Sequence, residues 1–131
     1  MATIFTRIIN GEIPGHKLAE TDEFFAFLDI RPMARGHALA IPKAEVDYVF
    51  DLDDDTLGGL MSFAKRVGKA IEAVVPCERI GIMVAGLEVP HCHIHLVPIN
   101  GIGELNFANA KPADHDELAA LAEAIRTTLA Q

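Results

Sequence analysis

The stretch HCHIHLVP, residues 91–98, places His91, His93 and His95 at every second position. In an extended strand alternate side chains point to opposite faces, so the three imidazoles would share one face and the residues between them the other. Imidazole titrates near neutral pH, and its neutral nitrogen can act as a nucleophile, a base or a metal ligand. Burying imidazole without hydrogen-bond partners is costly, so three on one face indicate a chemical site rather than packing.

Two kinds of chemistry suit such a row. A His-x-His pair could place two nitrogens on one metal ion, with a third ligand completing a zinc site. No carboxylate or cysteine in this strand would share that face at a suitable distance. Cys92 and Glu88 are an odd number of residues from the histidines, so an extended strand would point both to the opposite face. In the second kind, one imidazole attacks phosphorus while its neighbours bind the phosphate or donate to a leaving group. We favour phosphorus chemistry and predict no metal.

The composition limits the class of protein. The chain has 131 residues, of which 50% are hydrophobic, which suits one domain with a buried core. Its formal charge of −8 argues against binding a nucleic-acid backbone, although a small nucleotide stays possible. No apolar run approaches the ~20 residues of a membrane span, and the first residues do not form a secretory signal. Two cysteines do not suggest a disulfide framework, so we expect a cytoplasmic protein that does not bind membranes.

The elements that must position the histidines follow from periodicity. Short apolar or β-branched runs between turn residues predict five strands, at residues 16–21, 24–30, 37–42, 79–85 and 91–98. Apolar residues at helical spacing predict helices at residues 3–10, 53–75 and 114–130, the last with Asp114 as its N-cap. This order predicts an α+β fold, with a mainly antiparallel five-stranded sheet, one long central helix and a C-terminal helix.

Three stretches of the chain resemble the histidine triad (HIT) family. The run from His91 to Val97 resembles its H-x-H-x-H signature followed by apolar residues. The stretch IFTRIINGEIPG resembles the N-terminal segment of its nucleotide-binding branch, and FFAFLDIRPMARGHALAIPK resembles its central stretch. The resemblance covers residues 3–99. We therefore expect a single HIT-like domain over residues 1–131, in which residues 100–131 are a C-terminal extension containing a helix.

The resemblance implies a nucleotide-binding hydrolase of the phosphoramidase type. Family members cleave at the α-phosphorus, and the middle histidine, here His93, is the nucleophile that forms a transient nucleotidyl-histidine. The backbone carbonyl of His91 would hold the other ring nitrogen of His93, and His95 would donate hydrogen bonds to the leaving group. His37 matches a further histidine that packs beside the triad. No cofactor is implied.

The resemblance also implies a nucleotide pocket. Asp29 matches the acid that takes the ribose hydroxyls, for which two charge-assisted carboxylate oxygens are suitable. Leu87 and Glu88 stand where many relatives carry an amide and a hydroxyl that touch the phosphate and the leaving group. We therefore expect the second half of the substrate to differ, or turnover to be slow. The walls of the pocket for a purine base match five apolar residues: Ile4, Phe5, Ile8, Ile30 and Leu39.

Several alternatives stay open. A dinucleoside polyphosphate hydrolase or a nucleotidyl transferase would use the same triad, and a nucleotide-binding module without useful turnover would suit the changes at Leu87 and Glu88. A zinc-binding protein is a weaker alternative. The resemblance implies a homodimer, whose interface we place on the helix over residues 53–75. Phe107 would cover either the pocket or a dimer seam.

Overall fold

The structure, a computed structural model, describes residues 2–131. In chain order the helices within this range are α1 (Ile4–Ile9), α2 (Asp54–Val74) and α3 (His115–Leu129). The strands are β1 (His16–Glu20), β2 (Phe24–Leu28), β3 (Ala38–Pro42), β4 (Arg79–Met83) and β5 (Ile94–Ile99). These five strands form one antiparallel sheet in the order β1-β2-β3-β5-β4. The predicted α+β fold is confirmed.

The hairpin of β1 and β2 begins the sheet. The Thr21 hydroxyl accepts the backbone N–H of Phe24 at 3.0 Å and that of Glu23 at 3.3 Å, which stabilises the turn between the strands. β2 then pairs with β3 from Phe24↔Pro42 to Leu28↔Ala38. All five residues of each of these two strands are buried, so both faces of the sheet are covered at its centre.

The two faces bury different clusters. On one face α2 and α3 pack on the sheet to form the main core, with Leu60, Val67 and Ile71 from α2 and Leu121 and Ile125 from α3. Each helix begins at a capping aspartate, Asp53 for α2 and, as predicted, Asp114 for α3. On the opposite face α1 covers a smaller cluster of Phe5, Phe25, Phe27, Leu39 and Ile41. No helix within residues 2–131 is long and apolar enough to cross a bilayer.

The strand that leads to the histidine row begins later than predicted. β5 begins at Ile94, so His91 and His93 lie in an irregular segment before it and only His95 belongs to the strand. The ladder between β3 and β5 ends at Ala40↔Ile94, although β3 itself continues to Pro42. Pro42 has no N–H to donate, and its carbonyl oxygen lies 2.7 Å from the ring of His91 instead.

Side chains in this irregular segment still alternate between the two faces. The N–H of Cys92 donates to the carbonyl of Val46 at 2.7 Å, which holds the segment in place without a neighbouring strand. Cys92, Ile94 and Leu96 belong to the main core, as the alternation predicts. The histidines therefore face the other way, toward the side that carries α1.

Candidate active site

Four histidines meet on the face of the sheet opposite the main core. His91, His93 and His95 lie in the chain that enters β5, and His37 directly precedes β3, the neighbouring strand. All four residues are at most 4% exposed. The ring centroids of His93 and His95 lie 4.9 Å apart, and those of His37 and His95 lie 5.1 Å apart. The structure thus brings together the four histidines that the resemblance grouped.

The backbone of His91 determines which nitrogen of His93 is free. The Nδ1 atom of His93 lies 2.7 Å from the carbonyl oxygen of His91. A carbonyl only accepts, so Nδ1 carries the proton and, in the neutral ring, Nε2 keeps its lone pair. His93 also lines a cavity at this face. The arrangement therefore presents a ring nitrogen with the lone pair that a nucleophile requires.

A backbone amide sets the protons of His37 and His95 in the same way. The N–H of Met33 donates to Nδ1 of His37 at 3.0 Å, so the proton of neutral His37 is on Nε2. This Nε2–H lies 2.9 Å from Nδ1 of His95 and donates to it, which places the proton of His95 on Nε2. That Nε2 has no partner among the described residues. His95 therefore offers a hydrogen-bond donor at the cavity.

Burial keeps this pair uncharged. Removal from water, reinforced by His37 and His93, lowers the pKa of His95 to about 3. Removal from water, with a smaller contribution from His93, lowers the pKa of His37 to about 4. Both rings are neutral near pH 7, so His95 stabilises charge by donating a hydrogen bond and not by carrying a positive charge.

The cavity beside these histidines measures about 210 Å³. Its walls include all five residues that the sequence analysis assigned to a base pocket: Ile4, Phe5, Ile8, Ile30 and Leu39. Asp29 and Glu88 also line it, together with His93 and His95. An apolar slot with a few convergent polar groups at one end is the usual form of a small-molecule site.

The profile of the HIT domain family matches residues 10–101 of this chain. The chain belongs to the HIT family. An adenosine 5′-monophosphoramidase of Saccharomyces cerevisiae is 44% identical over 99 residues, an alignment that covers 74% of this chain and 62% of the yeast protein. The adenosine 5′-monophosphoramidase of Schizosaccharomyces pombe is 34% identical over 140 residues, covering 98% of this chain and 99% of that protein.

Solved structures of HIT proteins match the whole architecture. A hypothetical histidine triad nucleotide-binding protein of Sulfolobus tokodaii superposes with a TM-score of 0.86 at 28% identity, covering 97% of this chain and 91% of that one. A zinc-bound histidine triad family protein of Mycobacterium smegmatis superposes with a TM-score of 0.84 at 28% identity, covering 100% of this chain and 95% of that one. The predicted family and fold are confirmed.

In this HIT protein a carboxylate does approach the histidines, contrary to the sequence analysis. Asp29 follows β2, and its Oδ2 lies 3.7 Å from Nε2 of His37, while its Oδ1 accepts the N–H of Arg31 at 2.8 Å. Burial raises the pKa of this carboxyl. Offsets along the strand of His91–His95 could not indicate this approach, because Asp29 follows a different strand.

This approach places three ligand-type atoms, from Asp29, His37 and His95, within 4.8 Å of one another. The proton positions oppose a metal ion there, because Nε2 of His37 carries a proton and has no lone pair to offer. An ion would have to break the bond from the N–H of Met33 to Nδ1 of His37, or displace the ring.

Among the residues assigned to the nucleotide pocket, Leu87 does not line the cavity. It is 93% exposed and borders a different surface depression, next to Tyr48 and Phe50. The loop turns at Gly86, whose φ of +77° lies in the left-handed region, and Glu88 rather than Leu87 then reaches the cavity. Periodicity cannot predict which side chain of an irregular loop points inward.

Other lining residues were missed. Ile13, Pro14 and Gly15 follow α1 and border the cavity, and a Cβ at Gly15 would lie only 2.7 Å from Cγ2 of Ile8. Phe107, whose role was left open, lies over the site: its ring centroid is 5.2 Å from that of His95, in an edge-on arrangement. The strand pattern could have predicted Phe27, because Phe25 and Phe27 are two residues apart on β2 and therefore share this face. No sequence pattern places Phe107 beside a strand.

Proposed function

We propose that this HIT protein hydrolyses a purine nucleoside 5′-phosphoramidate or a related nucleotide conjugate at its α-phosphorus. The observation that carries the proposal is the state of His93: Nδ1–H is held by the His91 carbonyl, and Nε2 is left with its lone pair beside an apolar cavity. The two yeast relatives named adenosine 5′-monophosphoramidase support the choice of substrate class. The chain spans 62% of the length of the S. cerevisiae relative.

The proposed reaction has two steps. Nε2 of His93 bonds to the α-phosphorus, and the bond from phosphorus to the leaving nitrogen or oxygen breaks. Water then attacks the nucleotidyl-histidine, which releases the nucleoside monophosphate and restores His93. The Nε2–H of His95 donates to the leaving atom or a phosphate oxygen as negative charge develops there.

The rest of the cavity would bind the nucleoside. Ile8, Phe5 and Leu39 would hold the base by its faces, which gives loose base selectivity because apolar walls do not read hydrogen-bonding edges. Oδ2 of Asp29, whose partner oxygen is already bonded to the N–H of Arg31, would accept from the ribose hydroxyls.

Kinetics of His93 variants test the proposal. We expect His93→Ala to abolish hydrolysis of adenosine 5′-phosphoramidate and His93→Gly to regain part of it with added imidazole, which replaces the missing nucleophile. His115→Ala is the matched control, since His115 is exposed and bonds only to His16. Hydrolysis by His93→Ala at the wild-type rate would end the proposal. A panel with dinucleoside polyphosphates separates the related hydrolases, and binding without turnover would favour a non-catalytic module.

We further propose a cytoplasmic homodimer. β4 is an edge strand with exposed apolar side chains along it. The exposed fraction is 50% for Ile82 in β4, 37% for Val84 just after it and 42% for Met61 on α2. Between α2 and β4 lies an open groove of about 670 Å³, larger than the histidine cavity but without a histidine, which suits an interface better than catalysis. Both cysteines are free, which suits a reducing compartment. Sedimentation of the wild type and of Ile82→Glu checks the dimer: a wild-type monomer would contradict it.

A further inference from the structure

The residue that caps α1 also touches the first histidine of the triad. The Thr3 hydroxyl oxygen accepts the backbone N–H of Thr6 at 3.1 Å and lies 2.7 Å from Nδ1 of His91. The N–H of Thr3 itself donates to Glu45 at 3.2 Å. One half-buried side chain therefore joins the helix that lines the cavity to a fully buried histidine 88 residues away.

The direction of the contact follows from the other nitrogen of the ring. Nε2 of His91 lies 2.7 Å from the carbonyl oxygen of Pro42, which only accepts, so the proton of neutral His91 is on Nε2. Removal from water lowers the pKa of His91, against smaller opposing effects of Pro42 and Glu45, which keeps the ring neutral. Nδ1 is then an acceptor, and the Thr3 hydroxyl donates its one proton to it. In the longer contact of 3.3 Å between the hydroxyls of Thr3 and Thr6, the Thr6 hydroxyl is then the donor.

His91 in turn sets the nucleophile. Its ring is held at both nitrogens and meets the edge of Phe5 at a centroid distance of 5.7 Å. Its carbonyl accepts Nδ1–H of His93 at 2.7 Å. The same peptide unit is also held through the N–H of Cys92, so loss of the Thr3 contact would shift the carbonyl without releasing it.

We propose that Thr3 is a positioning residue, whose hydroxyl donates to His91 and so aligns the carbonyl that orients His93. The inference rests on the proposed nucleophilic role of His93 and extends it to a residue outside the cavity. The contact also couples the base pocket to the chemistry. Helix α1 carries Ile4, Phe5 and Ile8, and its N-cap residue contacts the triad.

Three substitutions of Thr3 separate its helix cap from its bond to His91. Thr3→Ser keeps the helix cap and the donor, so its kcat should stay within about two-fold of wild type. Thr3→Asp keeps the cap, since aspartate is a strong N-cap, but its carboxylate cannot donate to neutral His91. We expect its kcat to fall about ten-fold with KM unchanged, the effect of leaving a buried acceptor unpaired. Thr3→Val loses both bonds, so KM should rise as well because α1 loosens.

Thr21→Val is the matched control, because the Thr21 hydroxyl also accepts a backbone N–H but touches no histidine. Its kcat should match the wild type. A Thr3→Asp enzyme with wild-type kcat would overturn the inference and reduce Thr3 to a helix cap. A wild-type protein without turnover would instead refute the proposed function.

A measurement that needs no turnover completes the test. Nitrogen NMR of the labelled histidines should show His91 as the neutral Nε2–H form in the wild type and in Thr3→Ser at pH 7. In Thr3→Asp the ring should keep that form, but its Nδ1 signal should move from the wild-type position because the donor to Nδ1 is lost. An unchanged His91 signal in Thr3→Asp would contradict the contact, whatever the kinetics show.

Discussion

The two ends of the cavity are built in different ways. At the nucleoside end, apolar walls and Asp29 stand where the family resemblance placed them, and each belongs to a helix or strand or lies at most two residues beyond one. At the leaving-group end, His95 and its partner His37 are buried, while Glu88 lies on an irregular segment and Phe107 begins a three-residue 3₁₀ helix between β5 and α3. The proposed nucleotide half of the site is thus built on regular elements, while the residues that would select what the nucleotide is joined to lie mostly outside them.

Removal of the donor at the leaving-group end should give the largest effect. His95→Ala deletes the Nε2–H aimed at the cavity, and we expect kcat to fall about 10²-fold, as for loss of one preorganised donor in other hydrolases. KM for the nucleotide should change little. Circular dichroism shows whether the variant has the wild-type fold. A kcat that survives this change would place the leaving group elsewhere and break the comparison.

The buried histidine pair at this end, His37 and His95, should lower the free energy of unfolding in acid. The folded pKa values of His37 and His95, about 4 and about 3, lie below the value of about 6.5 for an unfolded chain. Between these values the unfolded chain binds protons that the folded chain does not, so stability is complete above pH 6.5 and falls as the pH drops. By pH 5 each ring should cost about 2 kcal/mol of the free energy of unfolding.

Urea unfolding at pH 7.5 and pH 5 measures this cost. His95→Ala should lose less stability over that range than the wild type does, because one buried imidazole is gone. Leu87→Ala, a change at an exposed residue that does not titrate, should keep the wild-type difference. Equal losses in all three proteins would mean that the buried pair is not the cause.

At the nucleoside end the expected effect is smaller and uniform. Asp29→Asn weakens a charge-assisted acceptor, so kcat/KM should fall about ten-fold, mainly through KM and equally for every leaving group. A 2′-deoxynucleotide substrate provides the control: it should be poor for the wild type and lose little more in the variant. A loss that depended on the leaving group would show that the two ends are not separate.

Glu88 should act in the opposite way. It is exposed at the mouth of the cavity, and its charge repels an anionic phosphate or leaving group. Glu88→Gln should change the ratio of kcat/KM between a neutral and an anionic leaving group by about five-fold, the scale of an exposed charge interaction. Assays with a matched pair of phosphoramidates measure it. Identical changes for both substrates would remove Glu88 from leaving-group selection.

Phe107 should give the smallest effect. Phe107→Ala removes the ring that meets His95 edge-on, which should lower kcat/KM for an aromatic leaving group about two-fold more than for ammonia. Competition assays with the two substrates resolve such a ratio. A larger loss for ammonia would mean that Phe107 supports His95 itself and not the leaving group.

Local patterns predicted the regular elements. The strands, α2, α3 and the cap at Asp114 follow from spacing and capping chemistry, which are written in neighbouring residues. The start of β5 could not be predicted, since it depends on where its pairing with β3 stops. Likewise Leu87 turns outward because of the conformation of Gly86, a feature of the loop and not of any period.

The grouping of site residues came from family resemblance, and the contacts that give them function came from the fold. Nothing near His37 in the chain indicates that the Met33 amide fixes its tautomer, or that His95 then points its proton at the cavity. The contact between Thr3 and His91 spans 88 positions and is equally invisible to spacing. Proton positions in such a network depend on three-dimensional neighbours, and sequence patterns do not record them.

The central claim is that Nε2 of His93 bonds to phosphorus. The wild type is quenched without acid during turnover of adenosine 5′-phosphoramidate and then digested with a protease. Mass spectrometry of the peptides locates the covalent adenylyl group directly. The account predicts an acid-labile adduct on His93 that His93→Ala lacks. An adduct on His95 or His37, or steady turnover with His93 unmodified at every time point, would contradict it.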